Sequence, residues 1–361
     1  MPHSSSAPAR RNSRLVVVGD VKIGAGEPVV VQTMTKVDPH DPELIARQAD
    51  ELTELGCGLV RLAVPDKRAA EVIREVRARS KATIVADIHF DPRLALSAME
   101  AGAQKVRVNP GNLRGGEEAV EAIATVAKAK GIPIRVGANS GSLPADLVGA
   151  EKGAALCEAV LREVRAFEKV GFTDLVVSAK GSDCVSTVAA GRALARETEY
   201  PIHVGVTAAG PESLAWAKSA VGIGALLVDG IGDTIRVSYT GHPSIEVRAA
   251  FDILDAVGQG RPGPEVISCP TCGRTRVDLA KAVEGVRLAL RGIDAPIKVA
   301  VMGCEVNGPG EARDADVGIA CAKGGGYIFA KGERLRRVGE DEIIDALVAE
   351  VKRIAADGGE A

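Results

Sequence analysis

Three cysteines and one glutamate near the C-terminus have the types and spacing of a metal centre. Cys269 and Cys272 form a Cys-x-x-Cys pair, and Cys304 follows later in the chain. Three thiolates are the ligand count of an iron–sulfur cluster that lacks a fourth cysteine. Glu311 ends an Asn-Gly-Pro-Gly-Glu segment, and its carboxylate could occupy the fourth iron. Substrate displaces an oxygen ligand more easily than a thiolate, so such a cluster would do chemistry as well as carry electrons.

The same cysteine spacing is also typical of a structural zinc site. Cys321 would then complete a four-cysteine set, whereas no histidine follows His242 to make a mixed site. Disulfides are disfavoured because the seven cysteines are an odd number and residues 1–13 lack the apolar stretch of a secretory signal. We therefore expect a reducing cytoplasm. Spacing alone leaves zinc and iron–sulfur both open.

A second group of candidate residues consists of cations that end predicted strands, with polar residues beside them. The cations are Arg61, Arg107, Arg135, Lys180 and Arg236, and the neighbours include Asp87, His89, Asn139 and Ser238. Cations repeated at one end of several strands converge on one pocket, and guanidinium groups match phosphate oxygens. The pattern predicts a diphosphate substrate. The alternative is that these cations form rim salt bridges with Asp87 and Asp183, which would contribute little.

Short apolar runs alternate with helical stretches from residue 29 to residue 238, and this repeat predicts the elements that position the cations. The runs are Val29–Gln32, Gly58–Leu62, Thr83–Asp87, Lys105–Asn109, Ile132–Val136, Asp174–Ser178, Ile202–Val206 and Ala225–Val228. Eight such units favour a (β/α)8 TIM barrel, with its active site at the carboxyl ends of the strands. A doubly wound open sheet is the alternative. A hairpin around Gly19-Asp20 is expected to close the other end of the barrel.

The remaining sequence predicts two domains with a tail and a linker. We assign residues 1–13 to a disordered tail, residues 14–257 to the barrel, and the Gly/Pro-rich residues 258–264 to a linker. Residues 265–361 alternate strands and helices again and are expected to form a small α/β domain that carries the metal centre.

Composition narrows the class of protein. Hydrophobic residues make up 46% of the chain and aromatic residues only 2%, so the core must consist of Val, Ile, Leu and Ala, as in parallel sheets wrapped by helices. A net charge of −3 and the scarcity of aromatic residues argue against a nucleic-acid-binding protein. No apolar run is long enough to span a membrane.

Several segments together resemble one family. They include the Ala-Asp-Ile-His-Phe-Asp segment at residues 86–91, the Arg-Val-Asn-Pro-Gly-Asn segment at 107–112, the Gly-Ile-Gly-Asp-Thr-Ile-Arg-Val-Ser segment at 230–238, and the cysteine and glutamate segments described above. The chain resembles the bacterial (E)-4-hydroxy-3-methylbut-2-enyl diphosphate synthases of the non-mevalonate isoprenoid pathway from about residue 15 to residue 356. This resemblance favours iron–sulfur over zinc.

The resemblance implies an iron–sulfur oxidoreductase that opens 2-C-methyl-D-erythritol 2,4-cyclodiphosphate with two electrons and releases water. It implies a homodimer in which the cluster domain of one subunit covers the barrel of the other. Ferredoxin or flavodoxin would supply the electrons. A [4Fe-4S] cluster would be held by Cys269, Cys272, Cys304 and Glu311. The diphosphate would be held by Arg61, Arg107, Arg135, Asn139, Lys180, Arg236 and Ser238.

One position departs from the family pattern. Ala208 stands where the family has the glutamate that is regarded as the proton donor. Either the chain is an inactive, diphosphate-binding variant, or another residue supplies the proton. The candidates are Asp87, His89 and Glu305. Because a general acid contributes about 10²–10⁴-fold, simple loss of the acid would leave substrate binding intact and turnover severely slowed.

Overall fold

The computed structural model describes residues 9–109, 113–207, 210, 212–260, 263–290, 292–306 and 314–357. These residues divide into two compact units, of which the first ends at Gly260 and the second covers the rest of the chain.

The first unit contains a short hairpin followed by strands and helices in strict alternation. The hairpin strands are β1 (Val16–Val18) and β2 (Val21–Ile23). The later strands are β3 (Val30–Met34), β4 (Leu59–Val64), β5 (Ile84–Ile88), β6 (Lys105–Val108), β7 (Ile134–Asn139), β8 (Leu175–Lys180), β9 (His203–Val204) and β10 (Thr234–Ile235). The helices are α1 (Pro42–Glu54), α2 (Lys67–Arg79), α3 (Pro92–Glu100), α4 (Gly116–Lys130), α5 (Lys152–Lys169), α6 (Cys184–Glu197), α7 (Glu212–Val228) and α8 (Pro243–Ala256).

The eight later strands form one parallel sheet that curls into a barrel. Their order is β8-β7-β6-β5-β4-β3-β10-β9. The two ends of this sheet meet where Val177 bridges Ile202 and the amide of Val177 donates to the carbonyl of Pro201 at 2.9 Å. The predicted (β/α)8 barrel is therefore confirmed, and the open doubly wound sheet is excluded.

The predicted position of the eighth strand is wrong. Residues Ala225–Val228 are the last turn of α7, and the eighth strand is Thr234–Ile235. An apolar run of this length fits a buried helix as well as a strand, and periodicity alone does not separate the two. The strand lies instead beyond Gly232, where Asp233 accepts a hydrogen bond from the amide of Ile202 and joins the two short strands.

Aspartates begin four of the helices of the first unit and so fix the turns between strands and helices. Asp41, Asp66, Asp91 and Asp183 each accept hydrogen bonds from backbone amides in the first turn of α1, α2, α3 and α6. Asp183 forms its ion pair with Lys152, at 3.9 Å, and with none of the strand-end cations. The alternative in which Asp183 neutralises those cations is therefore wrong.

The start of the chain differs from the expected disordered tail. Residues 9–13 lie against the barrel, while residues 1–8 are outside the described part. Arg10 donates to Asp233 at 2.9 Å, Arg11 donates to the carbonyl of Thr198 at 2.7 Å, and the Ser13 hydroxyl donates to Asp233 at 2.8 Å. Because these donors satisfy buried acceptors, the segment is held in place despite its polar sequence.

The hairpin packs on the barrel as expected. Val16, Val18 and Ile23 form an apolar cluster with Leu59, Val85 and Val176, which project inward from the first halves of their strands. The hairpin therefore closes the end of the barrel opposite to the candidate site.

The second unit is a five-stranded sheet with two helices. Its elements are β11 (Glu265–Ser268), α9 (Leu279–Ala289), β12 (Lys298–Met302), β13 (Val317–Ala322), β14 (Gly325–Ala330), β15 (Glu333–Gly339) and α10 (Ile343–Asp357). The first three strands are parallel and the last two run antiparallel. Sequence reasoning missed β15, because this exposed edge strand is rich in charged residues and lacks apolar alternation.

Both helices of the second unit cover the same face of its sheet. Val286 of α9 and Leu347 of α10 share a buried cluster with Val301, Ile319 and Ile328. None of the described helices combines the length and apolar character needed to cross a lipid bilayer.

Candidate functional site

The barrel strands bring the predicted cations together through their register. Asp87 on β5 pairs with Arg107 on β6, and Arg107 pairs with Arg135 on β7. Arg135 is only the second residue of β7, so the prediction that it ends its strand is wrong. The stagger of neighbouring strands in a barrel nevertheless places it beside Arg107. Lys180 and Asn139 also pair in register, at the ends of β8 and β7.

Asp87 is the buried carboxylate that organises this cluster. Its side chain lies 3.6 Å from Arg61 and 3.3 Å from Arg107, and its other contact is His89 at 3.5 Å. Burial alone would raise the pKa of Asp87, but Arg61, the hydrogen bond with His89, Arg107 and Arg135 together hold that pKa well below its usual range. Asp87 is therefore ionised at neutral pH. This state suits a group that orients guanidinium groups, and it does not suit a proton donor.

Several donors of the cluster have no partner within the described residues. They are Nε of Arg107, Nε and Nη1 of Arg135, and Nζ of Lys105. Arg135 is only 2% exposed, so an unsatisfied guanidinium there is costly. Burial, with Arg61 and Arg107 nearby, lowers the pKa of Arg135 well below its ordinary value. A buried set of cations with free donors is organised to receive an anion.

Lys180 is held by a buried histidine. Its Nζ lies 2.9 Å from Nε2 of His203, and Nδ1 of His203 contacts the hydroxyl of Thr234. Burial first, and then Arg135 and Arg61, lower the pKa of Lys180 well below its ordinary value. Gly205 leaves room for this side chain, since a Cβ there would lie 2.9 Å from Nζ.

Arg236 is held in place by Glu246, which lies in the first turn of α8. The Arg236 Nε lies 3.3 Å from Oε2 of Glu246, which also accepts from Thr33 at 2.5 Å. Lys36 contacts the other carboxylate oxygen at 2.8 Å. Burial raises and Arg236 lowers the pKa of Glu246, and the net shift is downward. Ser238 follows two residues later and is half-buried.

The remaining predicted residues of the barrel are less constrained. Nε2 of His89 lies 3.2 Å from Nη1 of Arg107, and about half of the His89 side chain is exposed. Ala208 lies outside the described residues. Its neighbour Thr207 donates to the carbonyl of Gly181 at 2.8 Å. Of the two candidate acids described in the barrel, Asp87 is buried and His89 is the more exposed.

The three predicted cysteine ligands lie at one end of the second unit's sheet. Cys269 and Cys272 follow β11, and Cys304 follows β12, its parallel neighbour. The amide of Gly303 donates to the sulfur of Cys269 at 3.3 Å. Glu311 lies outside the described residues, and Glu305 is exposed. Among the described residues, no three ligand side chains are gathered tightly enough to bind a single metal ion.

The chemistry of the cysteines fits a cluster with three thiolates. A four-iron cluster takes its thiolates at different irons, so the ligands spread more widely than around one zinc ion. Cys321, the fourth cysteine of the zinc alternative, is fully buried in the core beneath α9 and α10. Burial, together with Cys269, raises the pKa of Cys321 to about 11. Cys321 thus differs from Cys269 and Cys272, which are at least partly exposed.

Sequence reasoning missed three residues of the barrel interior. His203 and Glu246 fix Lys180 and Arg236, and Lys105 is fully buried beside Arg135 with its amine unpaired within the described residues. A strand-period signal existed for Lys105, because it lies two residues before Arg107 and therefore shares the inward face of β6. Glu246 gave no such signal, since it comes from a helix.

Solved structures share the barrel fold. The dihydropteroate synthase of Stenotrophomonas maltophilia matches with a TM-score of 0.52 and 21% identity, covering 68% of this chain and 98% of that one. The Yersinia pestis dihydropteroate synthase matches with a TM-score of 0.51 and 15% identity, covering 68% of this chain and 99% of that one. At these identities the likeness shows the fold alone.

Sequence comparisons cover nearly the whole chain at higher identity. Residues 13–251 match the GcpE TIM-barrel domain, and residues 265–353 match the GcpE protein C-terminal domain. The 4-hydroxy-3-methylbut-2-en-1-yl diphosphate synthase (flavodoxin) of Thermodesulfovibrio yellowstonii is 48% identical, covering 95% of this chain and 99% of that protein. The protein of the same name from Aquifex aeolicus is 46% identical, with coverages of 97% and 99%. This chain is therefore an enzyme that belongs to the GcpE family of 4-hydroxy-3-methylbut-2-en-1-yl diphosphate synthases.

Proposed function

We propose that the enzyme reductively opens 2-C-methyl-D-erythritol 2,4-cyclodiphosphate to (E)-4-hydroxy-3-methylbut-2-enyl diphosphate. The reaction consumes two electrons and two protons and releases one water. The observation that carries this proposal is the buried cation cluster around Asp87. Its guanidinium donors that have no partner within the described residues match a diphosphate, and its members come from five successive barrel strands.

The barrel residues would hold the substrate and set its orientation. Arg61, Arg107, Arg135, Lys180 and Arg236 would bind the diphosphate oxygens, with Asn139 and Ser238 at the rim of the site. Asp87 and Glu246 hold three of these cations in place before substrate arrives. A preorganised clamp of this kind turns diphosphate binding into precise placement of the reacting carbon.

Cys269, Cys272, Cys304 and Glu311 would hold a [4Fe-4S] cluster, which supplies Lewis acidity and electrons when bound. Two features support this assignment, namely the shared position of the cysteines at the ends of β11 and β12 and the amide of Gly303 directed at the Cys269 sulfur. Burial of Cys321 supports it over a four-cysteine zinc site.

Because Ala208 carries no acidic group, we propose that His89 delivers the proton that forms water. Nε2 of His89 lies 3.5 Å from Asp87, and about half of the His89 side chain is exposed. Asp87 itself would stay ionised and act only through its neighbours.

The electron donor is proposed to be flavodoxin or ferredoxin. The names of the related enzymes specify flavodoxin. Thiolate cluster ligands and a reduced donor both suit a reducing cytoplasm. We further propose a homodimer in which the cluster unit of one subunit serves the barrel of its partner.

The central experiment is an anaerobic assay of the cluster-loaded enzyme with the cyclic diphosphate, dithionite and a viologen. Product at rates ordinary for an enzyme (~1 s⁻¹ or above) would support the proposal, and His89→Gln should then lose most of this activity. Substrate binding without product would identify an inactive, diphosphate-binding variant, and Ala208→Glu should restore turnover. A colourless, zinc-loaded protein would favour a barrel enzyme with a structural zinc module instead.

Complementation tests the dimer. An Arg107→Met variant lacks one cation of the proposed substrate clamp, and a Cys304→Ser variant lacks one proposed cluster ligand. Each variant alone should therefore be inactive. If clusters serve the partner's barrel, co-expressed mixed dimers recover activity in one of their two sites. If mixed dimers retain cluster and substrate binding but recover no activity, the proposal that each cluster serves the partner's barrel would be wrong.

A further inference from the structure

One surface of the second unit is strongly basic and unrelated to the substrate clamp. It consists of Arg334 and Arg337 on the edge strand β15, Tyr327 on β14, and Lys323 in the turn between β13 and β14; we call it the β15 basic surface. The two arginines and Lys323 are exposed, and Tyr327 is half-buried. Within the described residues, none of the three cations forms an ion pair with a carboxylate.

The arginines of this surface are held in place without being neutralised. The guanidinium carbon of Arg334 lies 4.5 Å from the centre of the Tyr327 ring, and that of Arg337 lies 6.0 Å from it. Nη2 of Arg337 also donates to the carbonyl of Lys323 at 3.2 Å. Stacking and a neutral hydrogen bond reduce the freedom of both side chains and leave their charges available to a partner.

The register of the sheet connects this surface with the cysteine end of the unit. Met302 pairs with Ala320, Ala320 with Tyr327, and Tyr327 with Arg337. Three strand spacings of about 4.8 Å place the Arg337 backbone about 14 Å from that of Met302. Met302 lies two residues before Cys304 and shares a cluster with Cys269, which also packs against the cluster beneath α9 and α10.

The geometry points to the β15 basic surface as the docking site for an acidic electron-transfer protein. Unpaired cations steer an acidic partner and speed its association, and contacts dominated by charge dissociate fast enough for repeated encounters. Such a partner would lie about three strand spacings from the end of β12 that precedes Cys304. This inference rests on the proposed function only in taking the partner to be the electron donor.

Arg336 provides a matched control on the same strand. It pairs with Ile328, whose side chain is buried beneath α9 and α10, so Arg336 lies on the face opposite to Arg337. Arg336→Glu and Lys323→Glu change the net charge by the same amount, and only the second alters the proposed surface.

The test measures, by calorimetry, the affinity of the cluster-loaded enzyme for an acidic bacterial flavodoxin in its oxidised form. Arg334→Glu/Arg337→Glu should weaken binding roughly tenfold at about 0.01 M salt, and the difference should shrink at about 0.15 M salt. Lys323→Glu, which disturbs neither stacked arginine, should weaken binding in the same direction. Arg336→Glu should bind as the unchanged enzyme does.

Activity with two reductants separates docking from catalysis. Turnover driven by dithionite and viologen should be unchanged in the double variant, while its KM for reduced flavodoxin rises. Equal binding of all variants, or equal weakening by Arg336→Glu, would overturn the docking site. If the arginines only keep the edge strand from pairing, the double variant would self-associate at unchanged flavodoxin affinity, and this too would overturn it. No viologen-driven turnover in any variant would refute the proposed function and leave the binding result standing.

Discussion

Replacing Asp87 by asparagine tests whether this carboxylate organises the cation cluster. The change keeps the shape of the side chain and removes the charge that faces Arg61 at 3.6 Å and Arg107 at 3.3 Å. All three side chains are buried, so the two cations would lose their counter-charge away from water. Removing one partner of a buried ion pair typically costs about 3–5 kcal/mol. Asparagine still accepts hydrogen bonds, so we expect about 3 kcal/mol.

Fluorescence of Trp216 reports this loss from the barrel alone, because it is the only tryptophan of the chain and lies on α7. A loss of about 3 kcal/mol should lower the barrel's Tm by about 6–12 °C. Inorganic diphosphate should raise the Tm of the variant more than that of the unchanged enzyme, because the variant has a larger uncompensated positive charge.

The pH dependence follows from the depressed pKa of Asp87. A carboxyl group with a folded pKa below its unfolded value of about 3.9 contributes stability above that pH. This contribution is lost as the pH falls through the folded pKa. The Tm difference between the unchanged enzyme and Asp87→Asn should therefore be constant from neutral to mildly acidic pH and narrow below about pH 4.

Asp91→Asn is the matched control, because Asp91 lies in the loop that follows the strand of Asp87 and pairs with Arg93 at 2.7 Å on the surface. Asparagine also caps helices well, and exposed pairs contribute little, so its Tm should barely move. If Asp87→Asn is as stable as Asp91→Asn, the assignment of Asp87 as the organising charge is refuted.

Three further predictions concern the barrel interior and the cysteines. His203→Asn should raise the KM for substrate roughly 5–150-fold, since the Lys180 amine loses a buried partner worth about 1–3 kcal/mol. The variant should also shift the pH profile of kcat/KM. Unchanged kinetics would contradict the role of the His203–Lys180 pair. Lys105→Met should stabilise the barrel by about 1–3 kcal/mol at pH 7, because it removes a buried amine that has no partner within the described residues. Since burial lowers the pKa of Lys105, that advantage should diminish as the pH rises towards the ordinary lysine pKa, and a gain independent of pH would argue against a buried charge as its cause. Cys304→Ser should abolish visible iron–sulfur absorbance while Cys321→Ser retains it, whereas loss in both variants would support a four-cysteine site.

Much of the barrel could be predicted because its signals are local. Apolar runs such as Gly58–Leu62 are bounded by polar residues, and helices begin at capping aspartates, so element type and order follow from short stretches of sequence. The apolar run at Ala225–Val228 misled the prediction because its neighbours in space, and not its own pattern, decide that it is helical. Strand β15 was missed for the opposite reason, since an edge strand has little need of apolar residues.

The sequence by itself determined the residue types of both sites. Arginines and lysine at strand positions, and three cysteines after two strands, predicted an anion clamp and a sulfur-ligand centre. Only the tertiary structure decided which of these groups act together. Strand register placed Arg135 beside Arg107, a helix delivered Glu246 to Arg236, and burial set Asp87 as an anion and left the amine of Lys105 unpaired within the described residues. Charge interactions depend on distance and on exclusion of water, and both are properties of the folded chain that residue spacing does not encode.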